Sequence, residues 1–130
     1  MKKILVPCDF SKQAVNAYRF ALDLATQSKG TIHLLNVIEL PILHDTVIMP
    51  VLNFEQQLLH DLRKSATGHF AKITAEYKAQ GVKVITKVEF GTVSRMIQDY
   101  IKTEEIDLVV MGSHGASGIR EFFIGSNAEK

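Results

Sequence analysis

Lys3-Ile4-Leu5-Val6-Pro7-Cys8 is a short, nearly continuous apolar run rich in branched side chains, the pattern of a strand buried on both faces. Asp9-Phe10-Ser11 ends the run, and Ser11 carries the kind of side-chain oxygen that caps a helix N-terminus. Ala14, Ala17, Tyr18, Ala21, Leu24 and Ala25 then recur at helical spacing, with Gly30 as a stop signal. A buried strand followed by one crossover helix is the first unit of a βα repeat.

The rest of the chain continues it. Thr31 to Ile38 (TIHLLNVI) is a second strand, and Glu39 to Asn53, with Pro41, Pro50 and no clear period, is expected to be a long loop. Phe54, Leu58, Leu62, Ala66, Phe70, Ile73 and Tyr77 step by three or four along a helix that Gly81 should end. Val82 to Val88 alternates like a strand. Thr92 is placed to cap a helix whose stripe is Val93, Met96 or Ile97, Tyr100 and Ile101, and Ile106 to Met111 is a fourth strand. Strands alternating with helices give an α/β fold: an open parallel sheet with right-handed crossovers.

Composition narrows the function. A chain of 130 residues, 46% hydrophobic and 22% charged, is a single globular domain rather than a disordered segment. Fifteen Lys and Arg against fourteen Asp and Glu leave a net charge of +1, without the basic surplus of a nucleic-acid or membrane-surface protein. One Cys allows no intrachain disulfide. Lys2-Lys3 before an apolar run has the look of a signal peptide, but Asp9 stops it too soon. Asn36, Glu39 and Asp107 interrupt the longest apolar stretches, well short of the ~20 residues of a membrane helix, so the expected location is the cytoplasm.

Open parallel sheets bind ligands beyond the carboxyl ends of their strands, where strand order reverses. Two such loops carry chemistry: Pro7 to Ser11 after the first strand and Gly112 to Gly118 after the fourth. Glycines let successive amides point at one anion, and Gly125-Ser126 places a small residue and a hydroxyl at a helix start. Facing one point, these would form a phosphate cradle; the alternative is a plain glycine-rich loop. Gly125 to Lys130 reads as the opening turn of a further helix, so the domain over residues 1–130 is read as C-terminally incomplete.

Gly112-x2-Gly115-x9-Gly125-Ser126, with KKILVPCDFS, LLNVIE and DLVVMGSHG to IGSNAEK, resembles the nucleotide-binding subtype of universal stress protein domains along the whole chain. The resemblance implies a Rossmann-like sheet with helices on both faces, of order 3-2-1-4, lacking here the family's last helix and fifth strand. The fourth strand would then be an exposed apolar edge. It implies that Asp9 reads the adenine base with help from the main chain of Val37, and that Pro7 and Gly112 lie beside the ribose. Gly115, Gly125, Ser126 and Asn127 match phosphate-binding positions, flanked by Met111 and Ser113. Asn127 stands where an apolar residue is commoner, but the family uses its backbone amide. ATP is the implied ligand, with Mg²⁺ or Mn²⁺ held through the phosphates and water. A homodimer or a second domain of the same kind is the implied protein partner.

Each residue also has a plainer reading. Asp9 also reads as support for the Ser11 cap, and Cys8 as a small buried hydrophobe. His114 and Arg120 read as phosphate donors or as exposed surface. His33, His44, His60 and His69 lack ligand spacing; His60 and His69 are nine residues apart on one helix, too far to share a metal. The Phe54 to Tyr77 stripe is core, and Phe122, Phe123 and Ile124 are core or interface. No catalytic residue or metal ligand is assigned. The function expected is an adenine-nucleotide-binding regulatory domain in stress response. The alternatives are a slow ATPase or phosphotransferase, for which Asp9, His114 and Arg120 are the available groups, and an assembly module that binds no nucleotide.

Overall fold

A computed structural model describes residues 2–39, 49–112 and 122–124, the backbone alone for 49–55 and 122–124. In chain order the elements are β1 (Lys3–Pro7), α1 (Lys12–Ser28), β2 (Thr31–Ile38), α2 (Met49–Glu76), β3 (Lys83–Phe90), α3 (Val93–Thr103), β4 (Leu108–Met111) and β5 (Phe122–Ile124). The sheet order is β3-β2-β1-β4-β5, and β1 to β4 are parallel, as the repeat requires.

Helices cover both faces, and the strand pleat sorts the core accordingly. Ile4, Val6, Ile32, Leu34 and Val110 pack with Ala14, Ala17, Tyr18 and Ala21 of α1 and with Ala66 and Phe70 of α2. Leu5, Leu35 and Val109, one residue out of phase, pack with Ile106 and the half-buried Ile97, Tyr100 and Ile101 of α3. Burial on two sides is why β1 reads as a nearly continuous apolar run and why β2 is apolar apart from Thr31, His33 and Asn36. No residue of α3 is fully buried, so that helix sits more lightly than α1.

Several boundaries move, each for a local reason. Ser11 caps α1 as expected, its Oγ accepting the Ala14 amide at 3.1 Å. At the other end the left-handed residue is Lys29 (φ 56), while the Gly30 amide donates to the Ala25 carbonyl at 3.0 Å. Gly30 is needed for close approach: a Cβ there would lie 2.6 Å from the Lys2 carbonyl oxygen. α2 begins at Met49, inside the expected loop, because a proline in the first helical turn lacks only an amide that has no intrahelical acceptor. It ends at Glu76, ahead of Gly81, and the Tyr77 carbonyl accepts the Tyr18 hydroxyl at 2.8 Å. α3 closes with Glu105 at φ 54 and the Ile106 amide on the Ile101 carbonyl at 3.0 Å, so β4 starts at Leu108 rather than Ile106.

The expectation of an open edge at β4 is corrected. β5 pairs antiparallel with it, Val109 opposite Ile124 and Met111 opposite Phe122, and occupies the ladder that would otherwise face solvent. At the opposite edge, Arg63 of α2 donates from Nη1 to the Val88 carbonyl of β3 at 3.0 Å, with its guanidinium 5.0 Å from the Phe90 ring centre.

Candidate functional site

Because α1 leads from β1 to β2 while β4 lies on the other side of β1, strand order reverses between β1 and β4. The pair is in parallel register, Ile4 with Leu108 and Leu5 with Val109, so both carboxyl ends reach the same edge of the sheet. That is the position at which an open α/β sheet forms a ligand crevice.

The β1 side of the crevice is the turn into α1. Cys8 is stitched to β2 twice, its amide donating to the Leu35 carbonyl at 2.8 Å and its carbonyl accepting Asn36 Nδ2 at 2.9 Å. Burial pushes the Cys8 thiol up to about 11; the Phe10 backbone hydrogen bond opposes this and the Asp9 charge adds to it. The thiol is therefore protonated near neutrality and packs as a small hydrophobe. Asp9 is exposed at the lip, and its Oδ1 accepts the Ser11 amide at 3.0 Å. The carboxylate thus braces the helix cap while standing at the crevice mouth. Phe10 between them has φ 66, and its ring centre lies 4.9 Å from those of His69 and Phe70 on α2.

The β4 side ends at Met111 and Gly112, where the strand meets the first turn of α1. A Cβ on Gly112 would lie 2.6 Å from the Gln13 carbonyl carbon and closer still to its oxygen, so only glycine fits there unless the backbone moves. β2 lies beside β1 on the side away from β4. The Leu35 carbonyl faces β1, and strand periodicity turns the main-chain groups of Val37 the same way, beyond the last paired residue of β1.

Of the ten expected site residues, Pro7, Asp9, Val37, Met111 and Gly112 come together at this edge. Ser113, Gly115, Gly125, Ser126 and Asn127 lie outside the described residues, as do His44, His114 and Arg120. His60 and His69 are exposed on α2, and among the described residues no group of three His, Cys, Asp or Glu could hold a metal ion. No described helix is long and apolar enough to cross a membrane. A hollow of about 500 Å³ lined by Asn16, Arg19, Asp23 and Tyr77 shares no residue with the crevice.

Sequence reading missed Glu39. Its Oε2 accepts the Val93 amide at 3.1 Å, capping α3 where Thr92, at the cap position, makes no side-chain bond. The Gly91 amide also donates to the Ile38 carbonyl at 3.1 Å, so the chain just after Val37 is pinned twice to the start of α3.

The model of the Universal stress protein family matches residues 1–130. Universal stress protein MJ0577 of Methanocaldococcus jannaschii is 29% identical over 139 residues, spanning 98% of this chain and 86% of that protein. Its solved structure has a TM-score of 0.73 at 31% identity, covering 98% of this chain and 85% of the other. UspA from Lactobacillus plantarum has a TM-score of 0.67 at 27% identity, covering 98% and 88%. A family protein of Arabidopsis thaliana solved with AMP bound shares the fold at 19% identity and a TM-score of 0.56, covering 92% and 81%.

Proposed function

The chain belongs to the universal stress protein family, and from that premise we propose that it binds an adenine nucleotide, ATP by preference, above β1 and β4 as a regulatory module. One adjacency carries this reading: the Asp9 turn and the Gly112 strand end open at the same sheet edge, with Gly112 pressed against the first turn of α1. An AMP-bound relative of the same fold supports it.

In this reading the Asp9 carboxylate accepts the exocyclic amine of adenine, and the main chain of Val37 faces the same base edge. Pro7 and Gly112 border the ribose. The amides of Gly115, Gly125, Ser126 and Asn127 receive the phosphates, with Met111 and Ser113 beside them. Mg²⁺ or Mn²⁺ would be held by phosphate oxygens and water, which suits a crevice whose described residues offer no carboxylate or imidazole cluster. We place the protein in the cytoplasm, as a homodimer or beside a second domain of its kind.

Binding without turnover is the expected behaviour, because the described crevice residues include no paired acid and base to position water. Titration calorimetry with ATP and Mg²⁺, followed by phosphate release over hours, tests this. Saturable heat with negligible release supports a regulatory module. Steady release that is lost on His114→Ala would make it an ATPase, and no heat or thermal shift at millimolar nucleotide would overturn the reading.

A further inference from the structure

Phe10 holds a backbone conformation that L residues with a full side chain rarely adopt, at the turn that carries Asp9. Nothing in the neighbouring sequence demands an aromatic there; glycine or asparagine would take φ 66 more readily. The ring explains the choice. It leaves the turn and packs tilted on His69 and edge-on to Phe70, two residues of α2 far along the chain. Phe70 is itself buried in the core, so the contact ties the turn to the body of the protein.

The turn in turn aims its neighbours. With Phe10 left-handed, the Ser11 amide reaches Asp9 Oδ1 and Ser11 Oγ reaches the Ala14 amide. If the ring let go, Phe10 would be free to relax toward negative φ, and the direction of Asp9 relative to β1 would change with it. We propose that Phe10 is a positioning residue of the nucleotide site: its ring, held by α2, keeps the Asp9 carboxylate presented to the base and so sets the preference for adenine over guanine. This rests on the nucleotide reading above. A strained backbone held beside a ligand-facing carboxylate is one way to pre-arrange a site.

The test compares wild type, Asp9→Asn, Phe10→Ala, Phe10→Gly and Phe10→Tyr by ATP and GTP titration, by hydrogen exchange at the Ser11 amide, and by melting temperature. Phe10→Ala is expected to speed Ser11 exchange at least tenfold, and Phe10→Gly, whose backbone takes φ 66 without strain, by less. Both should weaken ATP binding, about tenfold in Phe10→Ala, while leaving GTP binding nearly unchanged, the pattern also expected of Asp9→Asn. Phe10→Tyr, which keeps the ring, should restore both. A purely structural role would lower the melting temperature and weaken both nucleotides alike, which would overturn the proposal. So would unchanged Ser11 exchange in Phe10→Ala, whatever the nucleotide results. Absence of binding by the wild type would overturn the nucleotide reading and the selective role with it, whereas loss of ATP selectivity in Asp9→Asn alone would remove only Phe10.

Discussion

His33, buried in the middle of β2, holds Nδ1 2.7 Å from the hydroxyl of Tyr100 on α3, the two rings meeting edge-on at 5.5 Å. It is the polar seam in an otherwise apolar layer, joining the sheet to the helix that has no fully buried residue.

That seam makes stability depend on acid. Burial lowers the His33 pKa from 6.5; Glu104 pulls it up, and Lys3 and Lys83 push it down. The folded state therefore prefers neutral imidazole, while the unfolded chain takes a proton below roughly pH 6.5. Stability is complete above that value and declines as the pH falls toward the folded pKa. Melting temperature followed from pH 7.5 to 5 should drop more steeply in the wild type than in His33→Gln; parallel curves would dismiss this account.

Removing the hydroxyl alone isolates the bond. Tyr100→Phe leaves a buried His33 nitrogen without its partner and should cost about 1–3 kcal/mol in urea unfolding. Amides of α3 should lose protection before those of α1. A loss spread evenly over both helices would mean that the bond does not hold α3.

At the alkaline end two phenols act together. Burial raises Tyr18 and Tyr100 to about 12, with nearby Glu104 and Glu89 adding to the shift at Tyr100. The unfolded chain ionises near pH 10, so stability should decline as pH rises beyond it. Tyr18→Phe and Tyr100→Phe should each flatten that decline in a denaturant series at pH 9 to 11, and an unaltered slope in both would refute the assignment.

Glycines provide a contrast of sign. Gly112→Ala drives a methyl into the Gln13 main chain, so β4 must part from α1 at about 1–3 kcal/mol, with nucleotide affinity reduced. Gly68 lies exposed within α2 with nothing within 4 Å of a Cβ, and Gly68→Ala should add about 0.5–1 kcal/mol. Thermal unfolding of the two variants decides the matter, and shifts in the same direction would contradict it.

The cap of α3 gives another contrast. Glu39→Ala should cost about 1 kcal/mol and fray the first turn of α3, whereas Thr92→Ala should change little because the Thr92 side chain makes no cap bond. Equal effects from the two would show that capping passes through Thr92 after all.

The sheet and its two-sided core were legible because Ile4, Leu5 and Val6 advertise burial on alternate faces and Ser11 announces a helix, both local signals. What escaped notice depends on contacts between distant residues. Glu39 caps a helix 54 residues away. Lys29, ordinary in sequence, takes the left-handed position while Gly30 answers to the Lys2 carbonyl. Phe10 reads as a breaker of the strand until α2 is folded over it. The candidate site follows the same division. Strand ends bring Pro7, Asp9, Val37, Met111 and Gly112 to one edge, as an alternating βα order predicts, but the close packing of Gly112 on Gln13 could be known only from coordinates.

Arg63 bears on a different hazard. By stoppering an outward carbonyl of β3, the guanidinium interrupts the row of acceptors along which an incoming strand would zip, as the short β5 shields the far border. The latch and the imidazole seam share no residue, so a protein whose seam is loosened by acid would still carry a guard against templated fibre growth at its β3 margin.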